Sequence, residues 1–296
     1  MLKHPFFYST PAHEAYNWLA SPIRQLREIN NDFFAEITKN NELYIDSKAT
    51  NTGLMENFLH LNSSIFDATR IHPKIIDFYE KTSCYEFDVW SEWATFAKPF
   101  ARLLSIFFTK RLQQLNLPLS SIDLTHGVTS EIVSIKNASD QSRQYAGWLR
   151  KIKKTGDVLF AGAYTSCIPP NVGCRCVKAI FPLPNGNITA ILRPENIGDG
   201  SLKLHASGNR CGDSGLYLLV NRGNKTIHVN HVKSIKQTIH IYVYEQEEIR
   251  TDHIFNFWGI KFLHLHYRIR MKHESHAHKA GGRSHHKNQI QPICNK

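Results

Sequence analysis

The sequence predicts an α+β fold, with N-terminal helices packed on a large curved antiparallel β-sheet or partly closed barrel. Apolar residues in the first part of the chain recur at helical spacing, whereas after Ser120 they recur at every second residue. Gly, Asn and Asp turn signals then separate short apolar runs, which is typical of antiparallel sheets. These observations predict a helical region over residues 1–119, an antiparallel β domain over 120–270 and a disordered tail over 271–296.

The clearest local signal is a β-hairpin over residues 176–192. Alternating residues lead into and out of the turn sequence Pro-Leu-Pro-Asn-Gly-Asn, in which Asn185 and Gly186 would supply the positive φ angles of a tight turn. Both arms carry apolar residues on both faces. We therefore expect this strand pair to be covered on both sides of the sheet.

Helical spacing before Ser120 predicts four helices, over residues 12–38, 54–61, 73–81 and 99–115. The last of these is amphipathic and basic, so it suits either a cover for the sheet or a contact with a membrane surface. The aromatic-rich segment 84–96 has no clear period. Strands are predicted near residues 128–135, 145–152, 158–165, 176–181, 188–192, 202–206, 216–220, 235–244, 249–257 and 261–269.

Charge and composition limit the classes of partner. The 296-residue chain has a formal net charge of +11 and 42% hydrophobic residues, enough for a packed core. Residues 271–296 hold five basic side chains and one acidic one, so four of the eleven charges lie in the predicted tail. No compact basic stripe remains in the body, and no nucleic-acid partner is expected.

The predicted location is cytoplasmic. The N-terminus lacks the features of a secretory signal, and the longest apolar run is too short and too charged to span a bilayer. Six cysteines without such a signal are typical of reduced thiols.

No metal and no cofactor are predicted. Cys167, Cys174, Cys176 and Cys211 lack the paired spacing of zinc ligands. The tail histidines lack a rigid frame that would make them selective for a metal ion. Phosphate-loop and dinucleotide fingerprints are also missing from the sequence.

Polar candidates for a site cluster late in the sequence. Asp252 and His253 are adjacent, but neighbours in a strand point to opposite faces, so a catalytic pairing of these two is not expected. An enzymatic site would need residues that converge only in the folded chain, and the candidates are Asp252, His253, His264 and Arg268. The sequence therefore favours a protein that is not an enzyme without excluding one.

Aromatic and apolar residues supply candidates for a ligand pocket. Trp90 and Trp93 would lie on one side of a helix if their segment were helical, where they would cap a core or form the floor of a pocket. Trp258, Leu265 and Tyr267 lie on the late strands that would line a cavity within a curled sheet.

Several segments resemble an uncharacterised family of bacterial proteins over about residues 70–270. They are IHPKIIDFYEKT, FDVWSEW, KRLQQLNLPL, VKAIFPLPNGN, GDSGLYLLV and RTDHIFNFWGIKFLHLHYRIR. This resemblance implies no activity and no site residues. More distantly, the closing hairpin resembles helix-grip and lipocalin-like ligand binders, which would imply a curved sheet around an apolar cavity.

The predicted function is non-enzymatic binding of an apolar or amphipathic small molecule within the curled sheet. Two alternatives stay open at this point. One is an enzyme with a polar site inside the β domain. The other is a peripheral membrane or interaction protein that uses the basic helix over residues 99–115.

Overall fold

A computed structural model describes residues 8–10, 14–22, 34, 37–38, 42–48, 51–94, 128–152, 158–183, 185–222, 227–245 and 248–272. Strands account for 57% of these residues and helices for 13%, and the strands form an open antiparallel sheet. The predicted α+β class is therefore wrong. The fold is β-dominated, and the described N-terminal residues do not form a helical layer on the sheet.

Fourteen strands are present in the described residues. They are β1 Tyr8–Thr10, β2 Leu43–Asp46, β3 Tyr85–Trp93, β4 Val128–Asn137, β5 Arg143–Ile152, β6 Val158–Cys167, β7 Cys176–Leu183, β8 Gly186–Asn196, β9 Leu202–Ala206, β10 Gly215–Asn221, β11 Ile227–His231, β12 Ile235–Tyr244, β13 Glu248–Phe257 and β14 Ile260–Met271.

The strands pair in the order β2-β4-β5-β6-β7-β8-β9-β12-β13-β14-β3, with β10, β11 and β1 on a branch. The branch arises at β8, whose first half pairs with β10 and whose last residues pair with β9. Strand β3, from the predicted helical region, forms an antiparallel ladder with β14. Residues on both sides of position 120 thus contribute to one sheet. The predicted domain limits stay a prediction, since 120–127 and 273–296 lie outside the described residues.

Helical structure before position 120 is short in the described residues. The predicted helix over 73–81 is confirmed as α1, Pro73–Glu80, with Pro in its first turn and the His72 side chain accepting the Lys74 N–H. The other helical segments are short 3-10 helices, at Glu14–Leu19, Phe58–Leu61, Ala68–Arg70 and Thr82–Cys84, and residues 34 and 37 are α-helical as well. Much of the predicted helix over 12–38, and all of the one over 99–115, lie outside the described residues.

The hairpin predicted over residues 176–192 is confirmed by β7 and β8, which pair from Val177↔Leu192 to Leu183↔Gly186. Asn185 has the positive φ, at 56°, whereas Gly186 is not among the residues with positive φ. The hairpin is also buried on both sides, as expected, because its alternate side chains enter different core clusters. The hairpin is therefore a central part of the sheet.

The sheet curls around its main core. On the face that we call the inner face, apolar side chains of β3, β7, β8, β9, β12, β13 and β14 pack against α1 and the segment before β3. Phe87 of β3 lies 5.1 Å, centroid to centroid, from Trp148 of β5, although these strands lie near opposite ends of the strand order. The sheet must therefore curve enough to bring its two ends together over the core. We call the opposite side of the sheet the outer face.

Candidate functional site

The inner face carries a buried arginine on β5. The Arg150 side chain lies beside two aromatic rings, with its Cζ 5.2 Å from the centre of Phe87 and 5.7 Å from that of Trp148. Arg150 is only 5% exposed. Its Nε and Nη2 atoms have no hydrogen-bond acceptor among the described residues. A buried guanidinium with two unsatisfied nitrogens is costly, because burial removes the water that would otherwise solvate it.

Two tyrosines share this environment with Arg150. Burial raises the pKa of both Tyr164 and Tyr267, so both phenols stay protonated at neutral pH. The positive charge of Arg150 acts in the opposite direction and lowers both pKa values. Burial also lowers the pKa of Arg150. The result is a positive group enclosed by aromatic side chains.

Further polar atoms lie on the inner face of β12, β13 and β3. His253 Nε2 is 2.9 Å from the side-chain oxygen of Gln237, and burial lowers the pKa of His253 to about 3, so this imidazole is neutral at pH 7. Thr251 Oγ1 and Trp93 Nε1 are buried without a hydrogen-bond partner in the described part of the chain. The inner face therefore combines an apolar core with several polar atoms.

The predicted pocket residues do not form one pocket: they lie on the inner face, on the outer face and at a hairpin tip. Leu265 and Tyr267 alternate onto the inner face of β14, and Trp93 shares that side through its pairing with Leu263. Trp90 points to the outer face and stacks on the ring of His266. Trp258 is at the tip of the β13–β14 hairpin and is 77% exposed. Because their segment is a strand, Trp90 and Trp93 occupy opposite sides of the sheet, whereas the helical interpretation placed them on one side.

The predicted polar residues also separate. Asp252 and His253 lie on opposite faces, as expected from strand alternation. On the outer face, Asp252 Oδ1 lies 2.7 Å from His266 Nδ1 and 3.2 Å from His264 Nε2. Arg268 instead pairs with Asp88, with 2.6 Å between Nη2 and Oδ2. Arg268 thus belongs to an ion-pair ladder between β14 and β3, on the same outer face and two residues along β14 from His266.

Glu92 of β3 completes the cluster that we call the outer histidine site: Glu92, Asp252, His264 and His266. Glu92 approaches the two rings from the side opposite to Asp252, at 3.8 Å from His264 Nδ1 and 3.5 Å from His266 Nε2. Burial and the neighbouring His266 both lower the pKa of His264. The cluster is part-buried against Trp90, whose ring lies 5.5 Å from that of His266 at an interplanar angle of 15°.

Arg150, Glu92 and His266 were not among the site residues predicted from the sequence. His264 and His266 form a His-x-His pattern on a strand, and strand alternation predicts that both rings share one face. That pattern was a usable signal for the outer histidine site. Arg150 had no comparable signal, because its burial depends on the curling that brings β3 over β5.

The chain is similar to a bacterial protein over most of its length. No protein-family model and no solved structure matches the chain. The chain is 26% identical over 251 residues to a Bacillus subtilis protein named uncharacterized membrane protein YndJ. The match covers 84% of this chain and 42% of that relative, so the chain spans less than half of its length.

The match supports the predicted likeness to uncharacterised bacterial proteins, whereas the likeness to helix-grip and lipocalin-like binders is unsupported. In the part of the chain that the structure describes, no helix has the length and apolar character needed to cross a membrane. The relative is named a membrane protein. The cytoplasmic location therefore stays a prediction.

Proposed function

We propose that this protein binds a small amphipathic anion on the inner face of its sheet, as a binding protein and not as an enzyme. The ligand would place a carboxylate or phosphate head group on Arg150 and its apolar part against the surrounding aromatic rings. The observation that carries this proposal is the buried Arg150 guanidinium, whose Nε and Nη2 have no acceptor among the described residues.

The chemistry of the guanidinium favours an anionic head group. Arginine presents a planar set of donors that matches carboxylate and phosphate oxygens, and hydrogen bonds between charged groups are the stronger ones. The neighbouring Tyr164 and Tyr267 stay protonated because burial raises their pKa values. Neither tyrosine therefore serves as a counter-ion, and an anionic ligand would supply the missing negative charge.

The surroundings of Arg150 favour an apolar remainder for the ligand. The rings of Phe87, Trp148 and Tyr164 lie beside each other on the inner face, with Trp148 and Tyr164 5.7 Å apart between centroids. Contact with such rings stabilises an apolar chain by removing it from water. Amphipathic anions are also components of membranes, which agrees with the name of the YndJ relative.

Isothermal titration calorimetry of the full chain with oleate and with lysophosphatidate tests the proposal and distinguishes the two head groups. We expect one ligand per chain for at least one of them, with affinity that survives high salt. R150M should weaken binding about tenfold or more, because it removes charged hydrogen bonds. K151M is the matched control, since it removes the same charge from the next residue of β5, on the opposite face.

A neutral analogue distinguishes binding of the head group from binding of the apolar chain. Oleyl alcohol should bind the unchanged protein more weakly than oleate, and R150M should not weaken it further. Equal loss of oleate and oleyl alcohol in R150M would contradict a head-group contact. Equal binding of oleate by R150M and the unchanged protein would overturn the proposal.

A further inference from the structure

We infer that the outer histidine site binds a divalent transition-metal ion of the zinc class, with Glu92, His264 and His266 as ligands and Asp252 as the carboxylate that orients both imidazoles. This site lies on the opposite face of the sheet from Arg150. It therefore does not depend on the proposed binding of an amphipathic anion.

The positions of the three ligands follow from the sheet. His264 and His266 are two residues apart on β14, so both rings project from its outer face, and their centroids are 3.8 Å apart. Glu92 is the direct cross-strand partner of His264 on β3. One ligand atom from each of Glu92, His264 and His266 lies within 4.8 Å of the other two.

A bound ion would need only a small contraction of this arrangement. Zinc–nitrogen and zinc–oxygen bonds of about 2.0–2.1 Å place tetrahedral ligand atoms about 3.3 Å apart. The Glu92 side chain is 62% exposed, so it is free to move toward the rings. The same exposure leaves room for water or another ligand at the remaining coordination position.

The Asp252 carboxylate gives the strongest argument for a metal site. In each ring, Asp252 Oδ1 lies next to the nitrogen that points away from Glu92. These nitrogens are Nε2 of His264 and Nδ1 of His266. If these nitrogens donate to Asp252, the lone pairs of His264 Nδ1 and His266 Nε2 face Glu92. His266 Nε2 is buried and has no hydrogen-bond partner among the described residues. A ligating imidazole usually donates its other N–H to an acceptor behind the ring, and a carboxylate is one of the common acceptors.

The ligand set also indicates the class of ion. Two imidazoles and one carboxylate suit zinc and its first-row neighbours, whereas calcium and magnesium prefer oxygen ligands. The sequence predicted no metal site because only the cysteines and the tail histidines were weighed as ligands. The outer histidine site instead combines residues from β3, β13 and β14.

Calorimetric titration with zinc chloride tests the site, and visible absorption of the cobalt(II) complex reports its geometry. The five histidines of residues 273–296 should be replaced by alanine in the otherwise full chain, because they bind metals themselves. We expect one zinc ion per chain. H266A and H264A should each weaken binding about 100-fold, and D252N about tenfold, the range for an orienting carboxylate.

H240A is the matched control. His240 lies on the outer face of the neighbouring β12, directly opposite Asp252, and its Nε2 is 3.0 Å from Ser201 Oγ, so it is a neighbouring histidine that is not one of the three ligands. The H240A variant should bind zinc with the same affinity as the protein that carries the unchanged site. Loss of zinc binding when only the tail histidines are replaced would overturn the site, as would full retention in H266A. Thermal unfolding in the presence of a chelator shows whether each variant is folded. If H264A does not fold, E92Q tests a ligand in its place.

Discussion

The Arg150 guanidinium lies 5.2 Å from the centre of the Phe87 ring, although β5 and β3 are near opposite ends of the strand order. This contact joins the two ends of the curled sheet through side chains. A cation–π contact contributes about 2 kcal/mol when it is desolvated, whereas burying the charge costs several kcal/mol. Without a bound anion, burial of the Arg150 charge therefore makes a net unfavourable contribution to the free energy of folding.

R150M should consequently stabilise the ligand-free protein by about 1–3 kcal/mol, because it replaces a buried charge with an apolar side chain of similar length. Urea unfolding of the delipidated full chain measures this change. R150K serves as a control, since it keeps the charge but loses the planar donors. A loss of stability in R150M would show that the guanidinium has a favourable partner within the protein.

Gly186 is required by the packing of β8 against β10. A Cβ atom on Gly186 would lie 2.1 Å from the carbonyl oxygen of Leu219, which belongs to the paired strand. G186A should therefore destabilise the protein by about 2–4 kcal/mol, since main chain cannot move aside as a flexible side chain can. Chemical denaturation measures the change.

N185G is the matched control for the same turn. Asn185 has φ +56°, a conformation that glycine adopts freely, so this substitution should change stability by less than about 1 kcal/mol. If G186A were as stable as N185G, the close approach to Leu219 would be wrong. The sequence pattern predicted a positive φ at Gly186, whereas glycine is needed there because Leu219, in a strand distant in sequence, leaves no room for a Cβ.

Local patterns predicted the parts of the fold that depend on neighbouring residues. The β7–β8 hairpin and α1 were predicted because alternation, turn residues and an N-terminal proline are local signals. Segment 84–96 was ambiguous, because its aromatic residues suit either a helix or a strand. Its pairing with β14, which is distant in sequence, makes Tyr85–Trp93 a strand, and local propensity does not report such pairing.

In the candidate sites, too, only the features that depend on residues close in sequence were predicted. Alternation correctly separated Asp252 from His253, since it depends only on strand geometry. It could not bring Glu92 to the histidines of β14, because that contact depends on which strands pair. Arg150 lacked a signal because its burial depends on the curling that brings β3 over β5.

His253 should make stability depend on pH. Burial lowers its folded-state pKa to about 3, and the value in the unfolded chain is about 6.5. Between these two values the unfolded chain binds the proton more readily, so stability falls as pH falls through this window. The contribution of one such residue is at most about 1.4 kcal/mol per pH unit.

H253Q removes this titration while keeping a polar side chain beside Gln237. At pH 7.5 we expect H253Q to be less stable than the unchanged protein, because the 2.9 Å contact is altered. The difference should shrink on acidification and reverse near about pH 5. Urea midpoints from pH 4.5 to 7.5 measure it, with H60Q as an exposed control. Parallel pH profiles for H253Q and the unchanged protein would contradict this prediction.

Trp258 adopts an unfavourable conformation at the tip of the β13–β14 hairpin. Its φ is +47° and that of Gly259 is +84°, the pattern of a turn in which Asn-Gly is preferred. A bulky residue at positive φ costs about 1 kcal/mol or more. Its ring is largely exposed and contacts Phe257, with 4.5 Å between centroids.

W258N should therefore raise the free energy of unfolding by about 0.5–1.5 kcal/mol, because asparagine tolerates positive φ better than tryptophan. W258A is the matched comparison, since it loses the same ring contact but keeps a residue that disfavours this conformation. Both variants retain the hydrogen bond that the main-chain N–H of residue 258 donates to the Ser234 carbonyl oxygen, which is 2.8 Å long in the unchanged protein. Thermal and urea unfolding should rank W258N above W258A. If W258A is at least as stable as W258N, the backbone conformation is not what limits this turn, and the contact of Trp258 with Phe257 determines its stability instead.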